Sequence, residues 1–385
     1  MIENFKNLKH GNGTKVIVGM SGGVDSTVAA YVMKEMGYDV TGVTMSIWDG
    51  TIPIEDTGKS GCFGPGEKED LRVAKLVCEK IGIKHVVIDL AEEYKKTVLK
   101  YFCDEYLEGK TPNPCVICNA KMKFGYLIDK AKEHGLEFEY FVTGHYANVA
   151  KDENSGRFYL QKAYDKFKDQ TYFISHLKQV QLSKLIFPLG ELPKEKVKDI
   201  ARHIGLDFVA DKDESQDFIE TDDYSVLFKE GEVRPGPIVD LQGKKLGEHK
   251  GIVHYTIGQR KGLGIGGVNG NLDPVYVLGI DSCRNTVIVG PEKYLLSDSF
   301  VVKAPNWISV DAISSEMPAK VKIRQQHKEQ EAMLIPQSSV GEHKASRAIL
   351  VKFKDPQRAI TPGQTAVFYD ADERVLGGGI ISRPE

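Results

Sequence analysis

The chain has no uninterrupted apolar run approaching the ~18 residues that a membrane span requires. Its opening residues, MIENFKNLKHGNGTK, are polar and lack the apolar centre of a secretory signal, so a cytoplasmic protein is expected. Positive charge is not in excess. The 51 Lys and Arg stand against 54 Asp and Glu, a net charge of −3, so any nucleic acid must meet local basic surface rather than a global field. Cysteine is sparse and unevenly spaced, six in 385 residues, which argues against a disulfide framework. Only Cys115 and Cys118 form a close pair, and no second close Cys/His pair exists to complete a zinc site. Internal repeats and long low-complexity tracts are missing too. The glycine-rich turn near the start lacks the lysine of a Walker A loop and the spacing of a dinucleotide loop.

What that turn does contain is VIVGMSGGVDSTVAA. Val16, Ile17 and Val18 read as a buried strand ending at Gly19. Ser21, Gly22 and Gly23 form a turn, and Asp25 and Ser26 open a helix with Val28, Val32 and Met36 on one face. Backbone N–H groups converge in such a turn with no side chain in the way, and the helix end adds positive partial charge. The expected ligand is a phosphate-bearing nucleotide. SGGVDS resembles the pyrophosphate loop of ATP pyrophosphatases, which adenylate a substrate oxygen and release pyrophosphate.

Residues 14 to about 205 alternate strand and helix patterns. Strands are expected at 15–19, 40–46, 85–90 and 140–144, and helices at 26–36, 68–81, 91–107, 120–134 and 194–204. Gly37, Gly82, Gly135 and Gly205 sit where helices should end. The fold class is therefore α/β, a doubly wound parallel sheet. Beyond about 210 helical periodicity fades. PVYVLGIDSCRNTVIVG reads as a hairpin, and the short runs after 295 as a small antiparallel barrel or sandwich. The expected domains are 1–208, 209–293 and 294–385.

A second chemical feature is GKTPNPCVICNAKMKFG. Its prolines stiffen the approach, Asn119 is placed to cap a helix, and Lys121 and Lys123 follow. A cysteine just before a helix start is expected to have a depressed pKa, hence thiolate character. The pair also reads as half a zinc site, a redox pair, or packing. Residues 108–119 can climb back to the nucleotide edge of the sheet, since twelve extended residues reach roughly 40 Å.

SGGVDS, TPNPCVICN, TGHY, KDQTYF, ESQD, YTIGQRKGLGIGG and TPGQTAVFY in this order resemble the tRNA-specific 2-thiouridylases over nearly the whole chain. That resemblance implies an adenine-nucleotide α-hydrolase-like domain, a small central linking domain and a C-terminal antiparallel β-barrel. It implies ATP-dependent adenylation of the C2 oxygen of a wobble uridine, followed by sulfur transfer through cysteine. It assigns Gly19, Met20, Ser21, Gly22, Gly23, Val24, Asp25, Ser26, Met45 and Gly144 to ATP, with Asp25 counted among the catalytic residues. It assigns Asn113, Pro114 and Cys115 to the target base, and Lys168, Asp169, Gln170, Arg324 and Gln325 to tRNA. Cys118 matches the first catalytic cysteine, and Mg²⁺ is expected with ATP.

One departure matters. Many relatives carry a second catalytic cysteine where this chain has Ile219, and Asp where it has Cys115. Two repairs stand open. Cys115 and Cys118 could act as persulfide carrier and resolving thiol. Alternatively they join Cys62 as three ligands of a [4Fe–4S] cluster whose open iron accepts hydrosulfide. Cys78, Cys103 and Cys283 read as structural. The stretch around Gln259, Arg260 and Lys261, flanked by Tyr255, reads either as an RNA-contacting segment or as a solvated hairpin. The sulfur donor is sulfide or a relay protein. The competing functions are another ATP pyrophosphatase, either a tRNA cytidine thiolase or an amidotransferase synthetase, and a catalytically idle tRNA-binding protein.

Overall fold

A computed structural model describes residues 9–56, 58–212, 215, 217–265, 274–337 and 348–382. The chain divides into two compact units. The first comprises residues 1–97, 115–221 and 373–376, and the second 98–114, 222–372 and 377–385.

The first unit is built on parallel strands β1 (Lys15–Gly19), β2 (Asp39–Ser46), β4 (Lys84–Asp89), β5 (Tyr140–Val142) and β8 (Leu185–Ile186), in the spatial order β4-β2-β1-β5-β8. Two smaller pairs accompany it. β3 (Gly61–Phe63) runs parallel to β9 (Asp217–Ile219), and β6 (Ala147–Lys151) antiparallel to β7 (Phe158–Lys162). Helices α1 (Val24–Glu35), α2 (Glu67–Ile81) and α5 (Lys194–His203) contribute buried apolar faces to one core. In it Val16 and Val18 of β1 meet Val28 and Val32 of α1, Val77 of α2 and Val197 of α5. Two further helical stretches, α3 (91–107) and α4 (114–133), contain wide, π-type turns at Lys95–Leu99 and Cys118–Tyr126. The parallel order confirms the expected fold class. The start of α4 corrects the expected helix at 120, because Pro114 occupies the first turn, where its missing N–H costs nothing.

In the second unit, a four-stranded sheet runs in the order Lys245–His249, Gly236–Val239, Thr286–Gly290, Tyr276–Asp281. The expected hairpin is present, with Asn285 in the left-handed region at φ 49° closing its turn. Ile238, Val253, Val277, Val287 and Val289 form its core. The C-terminal strands form a closed antiparallel barrel, because Leu296–Lys303 pairs both with Ala348–Arg358 and with Val375–Ser382. Closure leaves these strands without a free edge.

Candidate functional site: a nucleotide loop and three thiols

β1 ends at Gly19, and the Met20 N–H reaches the Val43 carbonyl of β2 at 2.8 Å. The chain then turns through Gly22 at φ +71°. A Cβ there would stand 2.7 Å from the Asp70 carbonyl oxygen. Gly23 is the N-cap of α1 and offers no capping side chain, so the first amides of the helix are left to a ligand. The Ser26 hydroxyl knits the loop together. It donates to the Gly23 carbonyl at 3.0 Å and accepts from the Ser21 N–H at 3.2 Å. Gly144, in the loop after β5, lies against this helix start; a Cβ there would sit 2.5 Å from the Asp25 carbonyl carbon. Met45, half-buried, lies two residues beyond the Gly19–Val43 register pair, at the carboxyl edge of β2. Every residue assigned to ATP by resemblance is therefore on the carboxyl edge of the sheet, where α/β folds bind ligands.

A lysine that sequence reasoning did not single out sits in this loop. Lys194, the first residue of α5, bonds both carboxylate oxygens of Asp25, at 2.7 and 2.8 Å, and its side chain is only 6% exposed. The Tyr146 hydroxyl donates to the same carboxylate at 2.8 Å, and the Lys194 ammonium lies over the Tyr146 ring, 5.5 Å from its centroid. Gln170 braces Tyr146, taking its N–H at 3.0 Å while donating its own backbone N–H to the Tyr146 carbonyl at 2.9 Å. The residues assigned to tRNA in KDQ thus divide. Asp169 is buried and Gln170 supports the nucleotide loop, while Lys168 is half-exposed.

The thiols gather from two distant stretches. Phe63 of β3 is in register with Ile219 of β9, so Cys62 lies beside the strand position where many relatives carry cysteine. Gly64 and Gly66 fold the chain around Glu220, whose carboxylate accepts the Gly66 N–H at 2.8 Å. Glu67 anchors the start of α2 to the end of β2 through the Ser46 hydroxyl and the Ile47 and Trp48 N–H groups, at 2.6–2.9 Å. Behind this loop Phe63 stacks on Tyr94 at 5.3 Å, and burial raises the Tyr94 hydroxyl well above its ordinary pKa. The Ala91–Tyr94 turn packs on the Cys118–Tyr126 stretch, which brings the Cys62 and Cys115–Cys118 segments into one neighbourhood. Phe124, on the same helix as Cys115 and Cys118, packs on His145, the neighbour of Gly144, at 5.6 Å, and the first turn of α2, which follows the Cys62 strand, lies against Gly22, so the thiol-bearing segments and the nucleotide loop share one edge of the first unit.

Two expectations are corrected. Cys118 lies one turn inside its helix rather than before it, and Asn119, instead of capping, is buried and donates to the Phe173 carbonyl at 3.3 Å. The thiol pKa values are raised, not depressed. Burial pushes Cys118 and Cys115 up to about 12 and outweighs the opposing charge of Lys123. Cys62 is open to solvent, Cys115 is half-buried and Cys118 buried. Among the described residues, no group of three or more His, Cys, Asp or Glu could hold a metal ion. The three thiols do not close around one point, and neither zinc nor a cluster gains support from their geometry.

The remaining residues fall as follows. Thr111 and Pro112, which lead into Asn113 and Pro114, are held by Gln364, whose side-chain amide donates to their carbonyls at 2.9 and 3.2 Å. Arg324 is half-exposed, while the Gln325 side-chain oxygen is buried with no hydrogen-bond partner. Arg260 and Lys261 are exposed, but Tyr255, expected to flank them at the surface, is packed in the core of the second unit. Cys78 belongs to the core of the first unit, Cys103 donates to the Leu227 carbonyl at 3.4 Å, and Cys283 is exposed on its turn. Glu214 and Gln216 of ESQD, and Gly266 and Gly267 of the glycine-rich segment, lie outside the described residues.

Three family models match in succession. They are a tRNA methyl transferase HUP domain over residues 14–220, a tRNA methyl transferase PRC-barrel domain over 225–291, and an aminomethyltransferase beta-barrel domain over 297–381. The chain is 46% identical to the tRNA-specific 2-thiouridylase MnmA of Endomicrobium trichonymphae, covering 95% of this chain and 98% of that one. The chain belongs to the tRNA-specific 2-thiouridylase family. It is also 45% identical to the 2-thiouridylase MnmA 2 of Caldanaerobacter subterraneus, covering 96% and 98%, and 42% identical to that of Acetivibrio thermocellus, covering 95% and 99%. No helix among the described residues is long and apolar enough to cross a membrane.

Proposed function

We propose that this protein uses ATP to adenylate the C2 oxygen of the wobble uridine of a tRNA and then replaces that oxygen with sulfur, giving 2-thiouridine. The carrying observation is the shared edge: a phosphate-binding turn and the segments bearing three thiols in one unit, linked through Gly144, His145 and Phe124. A carbonyl-derived oxygen leaves poorly, and transfer to it of AMP, with loss of pyrophosphate, makes it a good leaving group. The amides of Ser21 to Ser26 and the Lys194 ammonium supply positive charge for the phosphate chain. Mg²⁺ arriving with ATP neutralises pyrophosphate as it departs. Two of the matching family models are named for methyl transfer, but a pyrophosphate turn on the same edge as three thiols favours sulfur chemistry, as in the relatives' names.

Sulfur is handled at Cys62, Cys115 and Cys118, with Cys118 as the carrier. The two open schemes differ in one residue. A [4Fe–4S] cluster, when bound, would need Cys62 as third ligand and would present an iron to hydrosulfide; a persulfide pair needs only Cys115 and Cys118. The failure of the three thiols to close around a point favours the second. ATP chemistry belongs to a domain over 1–208, followed by a central β-rich linking domain over 209–293 and a C-terminal β-barrel over 294–385, in a cytoplasmic protein supplied with sulfide or served by a sulfur-relay protein.

The test is mass analysis of tRNA nucleosides after anaerobic incubation of the protein with ATP and sulfide, and in a parallel arm with ATP and a persulfide donor, which can hand sulfane sulfur to a cysteine without an oxidant. Formation of 2-thiouridine supports the assignment. ATP–pyrophosphate exchange requiring a small amino acid instead of tRNA would replace it with an amidotransferase-type synthetase, and tRNA binding without ATP turnover would leave an idle RNA-binding protein.

A further inference from the structure

Phe167 is 99% exposed, and Tyr164, three residues earlier, is 65% exposed. The turn that carries them is firmly held. Asp165 accepts the Phe167 N–H through Oδ1 at 3.1 Å and the Lys194 N–H through Oδ2 at 3.0 Å. The Tyr164 N–H donates to the Gly190 carbonyl at 2.8 Å, and the Lys168 N–H to the Asp165 carbonyl at 3.1 Å. Asp169 is buried, taking the Ala163 N–H at 3.0 Å and the Thr171 hydroxyl at 2.7 Å. Both acids of the turn are therefore directed inward onto backbone and hydroxyl donors. The charges beside the ring in sequence are Lys166, exposed and also paired with Glu373, and half-exposed Lys168.

A phenyl ring left wholly in water adds nothing to the hydrophobic core. An exposed aromatic face with a lysine on either side of it in sequence, on a turn that needs no ordering, suits one kind of occupant. An unpaired base stacks on the ring while its phosphates meet the lysines. A protein partner would call for a broader apolar surface, and here the exposed apolar groups of the turn are Phe167 and Tyr164. We propose that Phe167 is a stacking platform for an unpaired nucleobase of the RNA substrate, with Lys166 and Lys168 meeting the flanking phosphates. The inference rests on the tRNA reading above and adds to it a contact residue outside the motif that carried the resemblance.

The test uses the full-length protein and an unmodified tRNA transcript with uridine at the wobble position, with affinity measured by filter binding in the absence of ATP. The exposure of Phe167 makes its replacement harmless to folding, which circular dichroism checks. F167A should weaken binding roughly fivefold to a hundredfold. F167W should restore it to within about twofold, and its emission should be quenched on adding tRNA beyond any change from Trp48 and Trp307 in the parent protein. F167L should remain weak, because it keeps apolar bulk and loses the π face. Unchanged binding by F167A would overturn the inference, and so would full rescue by F167L, which would show that apolar bulk rather than ring stacking holds the RNA. Failure of the parent protein to hold tRNA would overturn the functional reading itself; the variant series tests the inference alone.

Discussion

The nucleotide loop and the thiol group share an edge but are made in different ways. The loop is eight consecutive residues whose chemistry is mostly backbone, and glycine at 22 and 23 specifies it locally. The thiols come from residues 62, 115 and 118 and owe their state to what surrounds them. A contiguous motif carries its chemistry with it. A dispersed one acquires its chemistry from packing, and here burial reverses the pKa direction that local reasoning expects.

The largest effect that could break this contrast lies in the thiols. C118A should lower 2-thiouridine formation on the order of 10³-fold or more, read by nucleoside mass analysis, while still releasing pyrophosphate from ATP in the presence of tRNA. C62A sharpens the point, since loss as deep as in C118A favours the three-thiol scheme and near-parental activity favours the pair. If the anaerobic protein is brown with charge-transfer absorbance lost in C62A, the cluster is present; a colourless protein with full activity eliminates it.

Next comes the charge beneath the nucleotide loop. K194M leaves Asp25 without its buried cation and removes a donor for the phosphate chain. ATP–pyrophosphate exchange should fall on the order of 10²-fold, with K194R recovering part of the loss. An equal fall in thermal stability for both variants, with exchange per folded molecule unchanged, would reduce Lys194 to a structural ion pair.

G144A should cost about 1–3 kcal/mol in denaturant unfolding and weaken ATP binding, because its Cβ would press on the Asp25–Ser26 peptide at 2.5–2.8 Å. Wild-type stability and ATP affinity in G144A would show that the loop yields.

The smallest effect is in pH. Burial lowers His145 to about 3 and His176 to about 4. Above pH 6.5 the imidazoles are neutral in both folded and unfolded chains and contribute no slope. Below it the unfolded chain takes up protons first, so stability falls as pH drops toward the folded values. By pH 5 the loss is on the order of 2 kcal/mol per imidazole. H145Q should flatten part of that slope in melts between pH 6.5 and 5.

How much was legible follows the same contrast. β1 was expected at 15–19 and is found at Lys15–Gly19, because three successive buried apolar residues bounded by glycine leave few alternatives. The parallel sheet and the antiparallel C-terminal half were also readable from periodicity. β3 was not, since three residues pair with a segment more than 150 positions later and no local pattern marks them. Nor was the π-type widening at Cys118, or Lys194, whose partner Asp25 lies 169 positions away. The one available hint was that Lys194 follows Pro193 at a helix start, which placed the helix without revealing where its ammonium points.

The three thiols differ in exposure: Cys62 is open to solvent, Cys115 half-buried and Cys118 buried. Such an arrangement has a direction. A reagent entering from bulk water reaches the outer sulfur first, so alkylation of the resting protein should proceed 62, 115, 118. Sulfur held on Cys118 would sit where stray oxidants reach it least.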